Sequence, residues 1–181
     1  PDTLLRDFQH RVMNHLQFIQ SVVHMQSLRV DSEPTRDALR DLGARVDTLA
    51  VVYRQLYATR TDGRIELAGY LGQLVSNLSA FYDREGRVAL MVEAPDTVLL
   101  LPVERAFPLG LIVTELVVNS FKHAFRDRPG GTIRIVLSRP DAGPALVAVQ
   151  DDGPGVPDGG GAGAGKRLGL TLIRSLAAQI G

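Results

Sequence analysis

The chain has no cysteine, no excess of charge of either sign and no long uninterrupted apolar run. Without cysteine it can form neither a disulfide framework nor a thiolate metal site, and it suits a reducing compartment, so we expect a cytoplasmic protein. Its 20 basic side chains balance 20 acidic ones, which argues against a general surface for binding nucleic acids.

Neither of the two most apolar segments is long enough to span a bilayer. Residues 98–101 and 109–118 are bounded or interrupted by Pro102, Glu104, Pro108 and Glu115, whereas a membrane helix needs about 20 consecutive apolar residues. We therefore expect no membrane contact by this chain. It begins at Pro1 without the pattern of a signal peptide, and we expect it to be a fragment of a longer protein.

Two amphipathic patterns occupy the first 60 residues. Apolar residues recur at steps of three and four in each, first at Leu5, Phe8, Val12, Leu16, Ile19 and Val23, then at Leu42, Val46, Leu49, Val52 and Leu56. Residues 31–34 separate the patterns, and Pro34 suits a first helical turn. The sequence therefore predicts a helical hairpin. Two hairpins forming a four-helix bundle would bury both stripes, so we expect a homodimer.

The character of the chain changes after the turn-forming residues 61–63. Helical patterns cover residues 67–81, 107–125 and 170–180, and strand-like runs cover residues 88–93, 132–139 and 145–150. This irregular mixture favours an α+β fold, a sandwich with its helices on one face of the sheet. We predict a hairpin domain of residues 1–60 followed by an α/β-sandwich domain of residues 63–181.

The predicted helix over residues 107–125 carries a polar stripe. Glu115, Asn119, Lys122 and His123 follow each other at helical spacing and share one face, apart from their apolar neighbours. A carboxylate, an amide oxygen and cationic groups together suit a magnesium nucleotide. A solvated helix face is the alternative interpretation of the same residues.

Two glycine-containing segments follow this stripe. Residues 147–155 read VAVQDDGPG, a strand that ends at Asp151 and a turn in which Gly153 and Gly155 let the backbone approach a ligand. Such a turn alone equally serves to reverse the chain. Residues 159–165 contain only glycine and alanine and predict a mobile loop, which meets a helix start at Leu168, Gly169 and Leu170. A helix N-terminus is suited to bind phosphate.

In this order the three segments resemble the N, G1 and G2 boxes of the GHKL ATPase family, whose ATP-binding domain has the Bergerat fold. Residues 8–17 read FQHRVMNHLQ and resemble the phosphoacceptor segment of the HisKA_2 class of histidine kinases, usually written HHRVKNNLQ. Residues 121–125, FKHAF, resemble the end of the N box of that class. The chain is thus similar to a sensor histidine kinase over nearly its whole length.

The resemblance implies a role for each matching residue. His10 is the phosphorylated residue, and Asn14, one helical turn later, orients a water for dephosphorylating a partner's aspartyl phosphate. Glu115 belongs to the catalytic site, Asn119 coordinates Mg²⁺ and Asp151 receives the adenine amino group. The other implied nucleotide contacts are Lys122, His123, Gly153, Gly155, Leu168, Gly169 and Leu170.

The function implied by the resemblance is two-component signalling, in which His10 is autophosphorylated from ATP and the phosphate passes to an aspartate of a response-regulator receiver domain. One alternative is a phosphotransferase or regulator phosphatase with little kinase activity, and another is a non-kinase GHKL ATPase. ATP and Mg²⁺ are the expected cofactors. A lid from Gly155 to Arg167 is expected to gate nucleotide access.

Several residues depart from the HisKA_2 pattern. Gln9 replaces its first histidine, Met13 a lysine and His15 an asparagine. Arg11 stands where other kinase classes carry an acidic base, which leaves Asp7 as the substitute. The chain ends at Gly181, before the closing strands of the family, so we expect its C-terminal strands to be missing.

Overall fold

The computed structural model describes residues 2–58, 63–83, 85–95, 98–125, 128–139 and 144–155, together with Ser175 and Ala177. The elements in these segments are, in chain order, α1 (Asp2–Arg29), α2 (Glu33–Ala58), β1 (Arg64–Glu66), α3 (Leu67–Tyr82), β2 (Val88–Glu93), β3 (Leu100–Pro102), α4 (Val103–Asn119), a π-turn (Ser120–Ala124), β4 (Gly131–Ser138) and β5 (Leu146–Asp151). Ser175 and Ala177 are helical, and the rest of the helix predicted over residues 170–180 lies outside the described residues. None of the described helices has both the length and the apolar character needed to cross a membrane.

The N-terminal part is a pair of long antiparallel helices, as predicted. α2 begins at Glu33 and carries Pro34 in its first turn, where the missing N–H of proline costs no helical hydrogen bond. The Gln20 amide donates to the Asp47 carboxylate over 2.9 Å and joins the two helices. Residue 20 of α1 is therefore level with residue 47 of α2.

Burial along the hairpin follows the predicted stripes only in part. Leu16, Val23 and Val52 are buried, but Ile19 and Leu42 are each 44% exposed. The side chains of Leu5, Phe8 and Leu56, also in the predicted stripes, lie outside the described residues. The hairpin alone thus covers one part of each stripe and leaves another part open.

Short-range hydrogen bonds fix where α3 begins and ends. The Glu66 carboxylate accepts hydrogen bonds from the N–H groups of Ala68 and Gly69, at 3.0 and 2.7 Å, which lack partners within the helix. After the helix, the buried Asp83 carboxylate accepts from the N–H groups of Arg87 and Val88, at 2.9 and 2.7 Å. Asp83 thereby sets the direction in which β2 starts.

The main sheet has its described strands in the order β2-β4-β5, with β4 parallel to β2 and antiparallel to β5. Alternate residues of β4, namely Ile133, Ile135 and Leu137, are buried in one core with apolar residues of α3 and α4. Between them Arg134 is exposed and hydrogen-bonds to Glu93 and Gln150 of the neighbouring strands. The helices therefore lie on one face of the sheet, which confirms the predicted α+β sandwich.

Two short strands were not predicted. β1 pairs antiparallel with β3, from Arg64 opposite Pro102 to Glu66 opposite Leu100. Strands of three residues are too short to show an alternating pattern. The other strands and α3 match their predicted bounds to within one residue, whereas α4 begins at Val103, four residues before the predicted start.

α2 packs on α3 and α4, so the hairpin and the sandwich share one core. Val51 and Val52 of α2 belong to the same buried cluster as Leu74 of α3 and Val113 of α4. The hydroxyls of Thr48 in α2 and Thr114 in α4 lie 2.8 Å apart in a buried hydrogen bond. The hairpin is therefore docked on the sandwich through both apolar and polar contacts.

One polar atom of this core has no partner. Tyr70 is fully buried, and its hydroxyl makes no hydrogen bond within the described part of the chain. It lies directly against Gly110, where a Cβ would overlap the hydroxyl. Burial raises the pKa of Tyr70, because the phenolate would be desolvated. The core therefore accommodates the ring of Tyr70 better than its hydroxyl.

Tyr70→Phe is expected to raise the free energy of unfolding at pH 7 by about 1 kcal/mol, since it removes an unpaired buried hydroxyl. The advantage grows above pH 10, because an unfolded tyrosine loses its proton at a pKa of about 10 while buried Tyr70 keeps it. The titration of Tyr70 therefore leaves the free energy of unfolding of the wild type unchanged below pH 10 and lowers it by about 1.4 kcal/mol per pH unit above pH 10, a loss that Tyr70→Phe does not suffer. Urea unfolding at pH 7 and pH 11 measures both effects. Tyr82→Phe is the control and should destabilise at pH 7, because the Tyr82 hydroxyl has a partner in Asp41; a destabilising Tyr70→Phe would contradict the prediction.

Candidate functional site

The predicted polar stripe lies at the end of α4 and in the π-turn that follows. Glu115 is buried, Asn119 and Lys122 are half-buried, and His123 is exposed. A π-turn takes more residues per turn than an α-helix and frequently marks a functional site. The α-helical spacing on which the prediction depended therefore holds only as far as Asn119.

The predicted glycine turn after β5 meets this segment. The Ser120 hydroxyl lies 2.7 Å from Oδ2 of Asp151, at the end of β5. A Cβ at Gly153 would collide with Ala124, so only glycine lets the two segments approach this closely. Gly155 has a φ of +76°, in the left-handed region that favours glycine. The structure thus brings the predicted phosphate-binding and adenine-binding segments together.

Neighbouring carboxylates hold the turn after β5 in shape. Oδ1 of Asp151 accepts the N–H of Gly153 at 3.0 Å, and Oδ1 of Asp152 accepts the N–H of Thr132 at 3.0 Å. The Arg128 guanidinium donates to the backbone carbonyl of Asp152. The Asp151 side chain is exposed and accessible to a ligand, whereas Asp152 joins the turn to β4.

Glu115 forms an ion pair with Arg45 across the interface between α4 and α2. Nε of Arg45 lies 2.5 Å from Oε1 of Glu115, and the two side chains are 29% and 10% exposed. This hydrogen bond raises the pKa of Arg45, because the carboxylate stabilises the protonated guanidinium. In this structure the predicted catalytic carboxylate is therefore engaged by the hairpin.

Lys122 is engaged by the hairpin as well. Nζ of Lys122 donates to Oδ2 of Asp41 in α2 over 2.7 Å, and the Tyr82 hydroxyl donates to Oδ1 of the same carboxylate at 3.1 Å. The ring of Tyr82 stacks on Phe121 with centroids 5.7 Å apart. Burial, and next the negative charge of Asp41, raise the pKa of Tyr82. A carboxylate of α2 thus satisfies both the lysine and the tyrosine.

The predicted phosphoacceptor lies apart from these residues. His10 and Asn14 are exposed on α1, four residues apart and hence on one helix face. Because residue 20 is level with residue 47, Arg45 is level with about residue 22. At 1.5 Å per residue, the roughly 12 residues between that level and His10 place His10 about 18 Å farther along the hairpin axis. The structure therefore does not bring His10 to the N-box segment.

Some predicted site residues lie outside the described residues. They are Leu168, Gly169 and Leu170, the glycine loop 159–165, the lid beyond Gly155 and the side chain of Asp7. Among the side chains that are described, no group of three or more histidine and acidic residues could hold a metal ion by itself.

Three contact residues of α2 were not predicted. Asp41, Arg45 and Thr48 recur at steps of four and three, and this second stripe signals that α2 has a polar partner besides α1. Ser120 was also missed. A single serine after Asn119 carries no signal of its own, because its partner Asp151 is 31 residues away in sequence.

Two family models together match nearly the whole chain. The model described as "Histidine kinase", that of the HisKA_2 class, matches residues 7–82, and the model described as "Histidine kinase-like ATPase domain" matches residues 81–180. The chain belongs to the histidine kinases. The predicted HisKA_2 class and its GHKL-type ATPase domain are thereby confirmed, and the match to the ATPase domain implies ATP binding.

The chain is similar to two curated histidine kinases. It is 32% identical over 184 residues to "Blue-light-activated histidine kinase 2" of Erythrobacter litoralis (strain HTCC2594), covering 99% of this chain and 52% of that protein. It is 29% identical over 177 residues to "Sensor histidine kinase PdtaS" of Mycolicibacterium smegmatis, covering 97% of this chain and 34% of that protein. The chain therefore spans about half the length of the first relative and about a third of the second.

Solved structures agree with the fold. The histidine kinase domain of the Erythrobacter litoralis EL346 blue-light activated histidine kinase superposes with a TM-score of 0.65 and 31% identity, over 98% of this kinase and 83% of that domain. This likeness confirms a helical N-terminal region followed by a GHKL-type ATPase sandwich.

Arg45→Ala is expected to lower the free energy of unfolding by about 2 kcal/mol, because the nearly buried Glu115 carboxylate loses its charged partner. Arg40→Ala is the matched control. Arg40 lies on the same helix, is 53% exposed and pairs only loosely with Asp37 at 3.8 Å, so its loss should change stability by less than about 0.5 kcal/mol. Urea unfolding compares the two variants, and equal changes would show that the Glu115 carboxylate does not depend on Arg45 as its charged partner.

Proposed function

We propose that this chain is the kinase core of a two-component sensor, which transfers the γ-phosphate of ATP to His10 and then to an aspartate of a response-regulator receiver domain. The observation that carries the proposal is the 2.7 Å contact between Ser120 and Asp151. It joins the two segments proposed to hold the phosphates and the adenine. The exposure of His10 on the hairpin makes an acceptor available to the same chain.

In this proposal the adenine end of the site is formed at the end of β5. The exposed Asp151 carboxylate accepts a hydrogen bond from the adenine amino group. Gly153 lets the following turn lie close to the π-turn after α4, and neither Gly153 nor Gly155 carries a side chain that would obstruct a base. Leu168, Gly169 and Leu170 are proposed to complete the site from the G2 box.

The phosphate end is proposed to lie along the end of α4. The half-buried amide of Asn119 offers an oxygen to Mg²⁺, which usually takes one or two protein oxygens and completes its shell with phosphate and water. Magnesium, when bound, neutralises charge on the transferring phosphoryl group. Lys122 adds a positive charge, His123 adds a hydrogen-bond donor, and Glu115 orients a water or the Asn119 amide.

His10 is proposed as the nucleophile. A neutral imidazole nitrogen attacks the γ-phosphorus of ATP, the bond from that phosphorus to the bridging oxygen breaks, and ADP leaves as the imidazole releases a proton. The phosphoryl group then moves to the receiver aspartate. Asn14 lies on the same exposed face of α1, where its amide orients a water for a separate, opposing reaction: the water attacks the aspartyl phosphate of the receiver, the bond to the aspartate oxygen breaks and inorganic phosphate leaves.

The observed docking cannot be the arrangement that transfers phosphate. Glu115 and Lys122 contact α2 at Arg45 and Asp41, which lie about 18 Å or more along the hairpin axis from the level of His10, whereas reacting atoms must approach to about 3–3.5 Å. The offset is the same for His10 of a second hairpin that lies parallel and in register. Transfer in this proposal therefore requires the ATPase part to leave Arg45 and Asp41 and move along the hairpin.

The remaining parts of the proposal concern organisation and partners. We propose a hairpin domain of residues 1–60, an ATP-binding domain of residues 63–181, a cytoplasmic location and a homodimer formed through the hairpin. Phe18, Met25 and Leu28 on α1 are 68%, 50% and 70% exposed, and a four-helix bundle would bury such side chains.

Incubation with γ-labelled ATP and Mg²⁺ tests the assignment of His10. We expect acid-labile label on the wild type, none on His10→Ala and little on Asn119→Ala, because these variants lose the acceptor and the metal contact. His15→Ala is the matched control, since His15 is also exposed on α1 and should be dispensable. Label on His10→Ala at the wild-type rate would show that another residue is phosphorylated.

The same experiment separates the alternative. A wild type that binds ATP, never becomes labelled and accelerates loss of phosphate from a regulator would be a phosphatase rather than a kinase. A wild type that binds no nucleotide would overturn both readings, because both depend on the ATPase part.

A second prediction concerns Lys122, for which Asp41 and the phosphates compete in this proposal. Asp41→Asn should tighten ATP binding about fivefold, the equivalent of about 1 kcal/mol, because the competing carboxylate is removed. Asp31→Asn, in the exposed turn before α2, is the matched control and should leave affinity unchanged. Calorimetric titration with ATP and Mg²⁺ measures both, and unchanged or weaker binding by Asp41→Asn would contradict the competition.

A further inference from the structure

We propose that Ser120 is a positioning residue that sets the selectivity of the site for adenine by holding the Asp151 carboxylate in one orientation. The inference rests on the proposed function, in which Asp151 receives the adenine amino group. Ser120 would touch neither adenine nor phosphate and would act only through Asp151.

Both oxygens of the Asp151 carboxylate are held from the protein side. Oδ2 accepts a hydrogen bond from the Ser120 hydroxyl at 2.7 Å, and Oδ1 accepts the backbone N–H of Gly153 at 3.0 Å. A carboxylate oxygen can accept two hydrogen bonds, so each oxygen keeps one position open to a ligand. The Asp151 side chain is exposed, and that open side is accessible.

The Ser120 hydroxyl has two acceptors within reach but a single proton. Its oxygen lies 3.2 Å from the carbonyl of Leu116, the usual partner of a serine in a helix, and 2.7 Å from Asp151. Hydrogen bonds to an ionised acceptor are shorter and roughly twice as strong as neutral ones. The proton therefore belongs to the bond with Asp151. Ser120 is itself only 7% exposed, so water cannot readily take its place in that bond.

The orientation matters because of what distinguishes the purine bases. A carboxylate rotates over a broad range about its last torsion, and an exposed one at a strand end turns readily unless it is held. An ionised carboxylate can only accept hydrogen bonds, so it binds an amino group of the base and repels a carbonyl at the same position. It does so only when one carboxylate oxygen points at that position. Ser120 supplies that constraint from the residue directly after Asn119, so the junction between α4 and the π-turn contributes to both ends of the proposed nucleotide site.

Calorimetric titrations with two nucleotides test this role. ATP is compared with purine riboside triphosphate, which lacks the amino group, in the presence of Mg²⁺. We expect the wild type to prefer ATP, and Ser120→Ala to weaken ATP binding about fivefold while changing the affinity for the analogue by less than about twofold. Ser120→Thr keeps a hydroxyl and should restore the preference. Ser27→Ala replaces an equally buried serine of the hairpin and should change neither affinity.

Each outcome decides the proposal. An equal loss of affinity for both nucleotides in Ser120→Ala would mean that the serine supports the fold of the site without orienting Asp151. An unchanged affinity for ATP would mean that Asp151 keeps its orientation without Ser120. Either result overturns the role of Ser120 while the proposed function stands. A wild type that binds both nucleotides equally would instead overturn the adenine role of Asp151, and the role of Ser120 with it. Thermal unfolding of each variant confirms that it is folded, and the comparison on Ser120→Ala is decisive even where Ser120→Thr does not fold.

Discussion

The position of α4 between the main sheet and α2 is the constraint on which the rest of the structure depends. Val113 and Val117 of this helix belong to the core over β4, while Thr114 and Glu115 turn to α2 and meet Thr48 and Arg45. A helix with partners on two sides has little free surface along its length. Its C-terminal end, where the α-helix becomes a π-turn and Ser120 reaches Asp151, is therefore the part left to form a site with β5.

The contact between α2 and α4 differs in kind from the contact between α4 and the sheet. The sheet side is apolar, and its burial is a permanent part of the fold. The α2 side includes two ion pairs, Arg45–Glu115 and Asp41–Lys122, whose charges regain most of their solvation when they separate. The charged part of such an interface adds little net stability. Opening it therefore costs less free energy than opening an apolar interface of equal area. The structure therefore combines a fixed sandwich with a hairpin whose docking is in part replaceable.

Most of the fold could be predicted because its elements are long and periodic. The strand-like run over residues 132–139 and the helical spacing in α1, α2 and α3 predicted elements that the structure confirms. β1 and β3 could not be predicted, since a strand of three residues has no visible period. The family motifs located Asn119 and Asp151, but no local pattern indicated that Ser120 joins them, because hydrogen bonds between distant segments leave no spacing in the sequence. The pairing of Glu115 with α2 was hidden for the same reason, although Asp41, Arg45 and Thr48 form a polar stripe that can be recognised once α2 is known to have a second partner.

In the proposed function, Glu115 and Lys122 have two sets of partners, the hairpin and the nucleotide. A group that binds two partners alternately couples their binding, and the coupling is reciprocal. If docking to α2 weakens nucleotide binding by a given free energy, nucleotide binding weakens docking by the same free energy. The strength of the two ion pairs limits this coupling free energy. The side chains of Lys122 and Asp41 are each more than a quarter exposed, and only Glu115 is almost buried. Such pairs shift an equilibrium by a few kcal/mol at most. A shift of that size is enough to exchange the populations of docked and released states, provided that the apolar contacts of Val51 and Val52 do not alone decide the docking. The charges at the end of α4 would then link occupation of the nucleotide site to the distance between that site and His10.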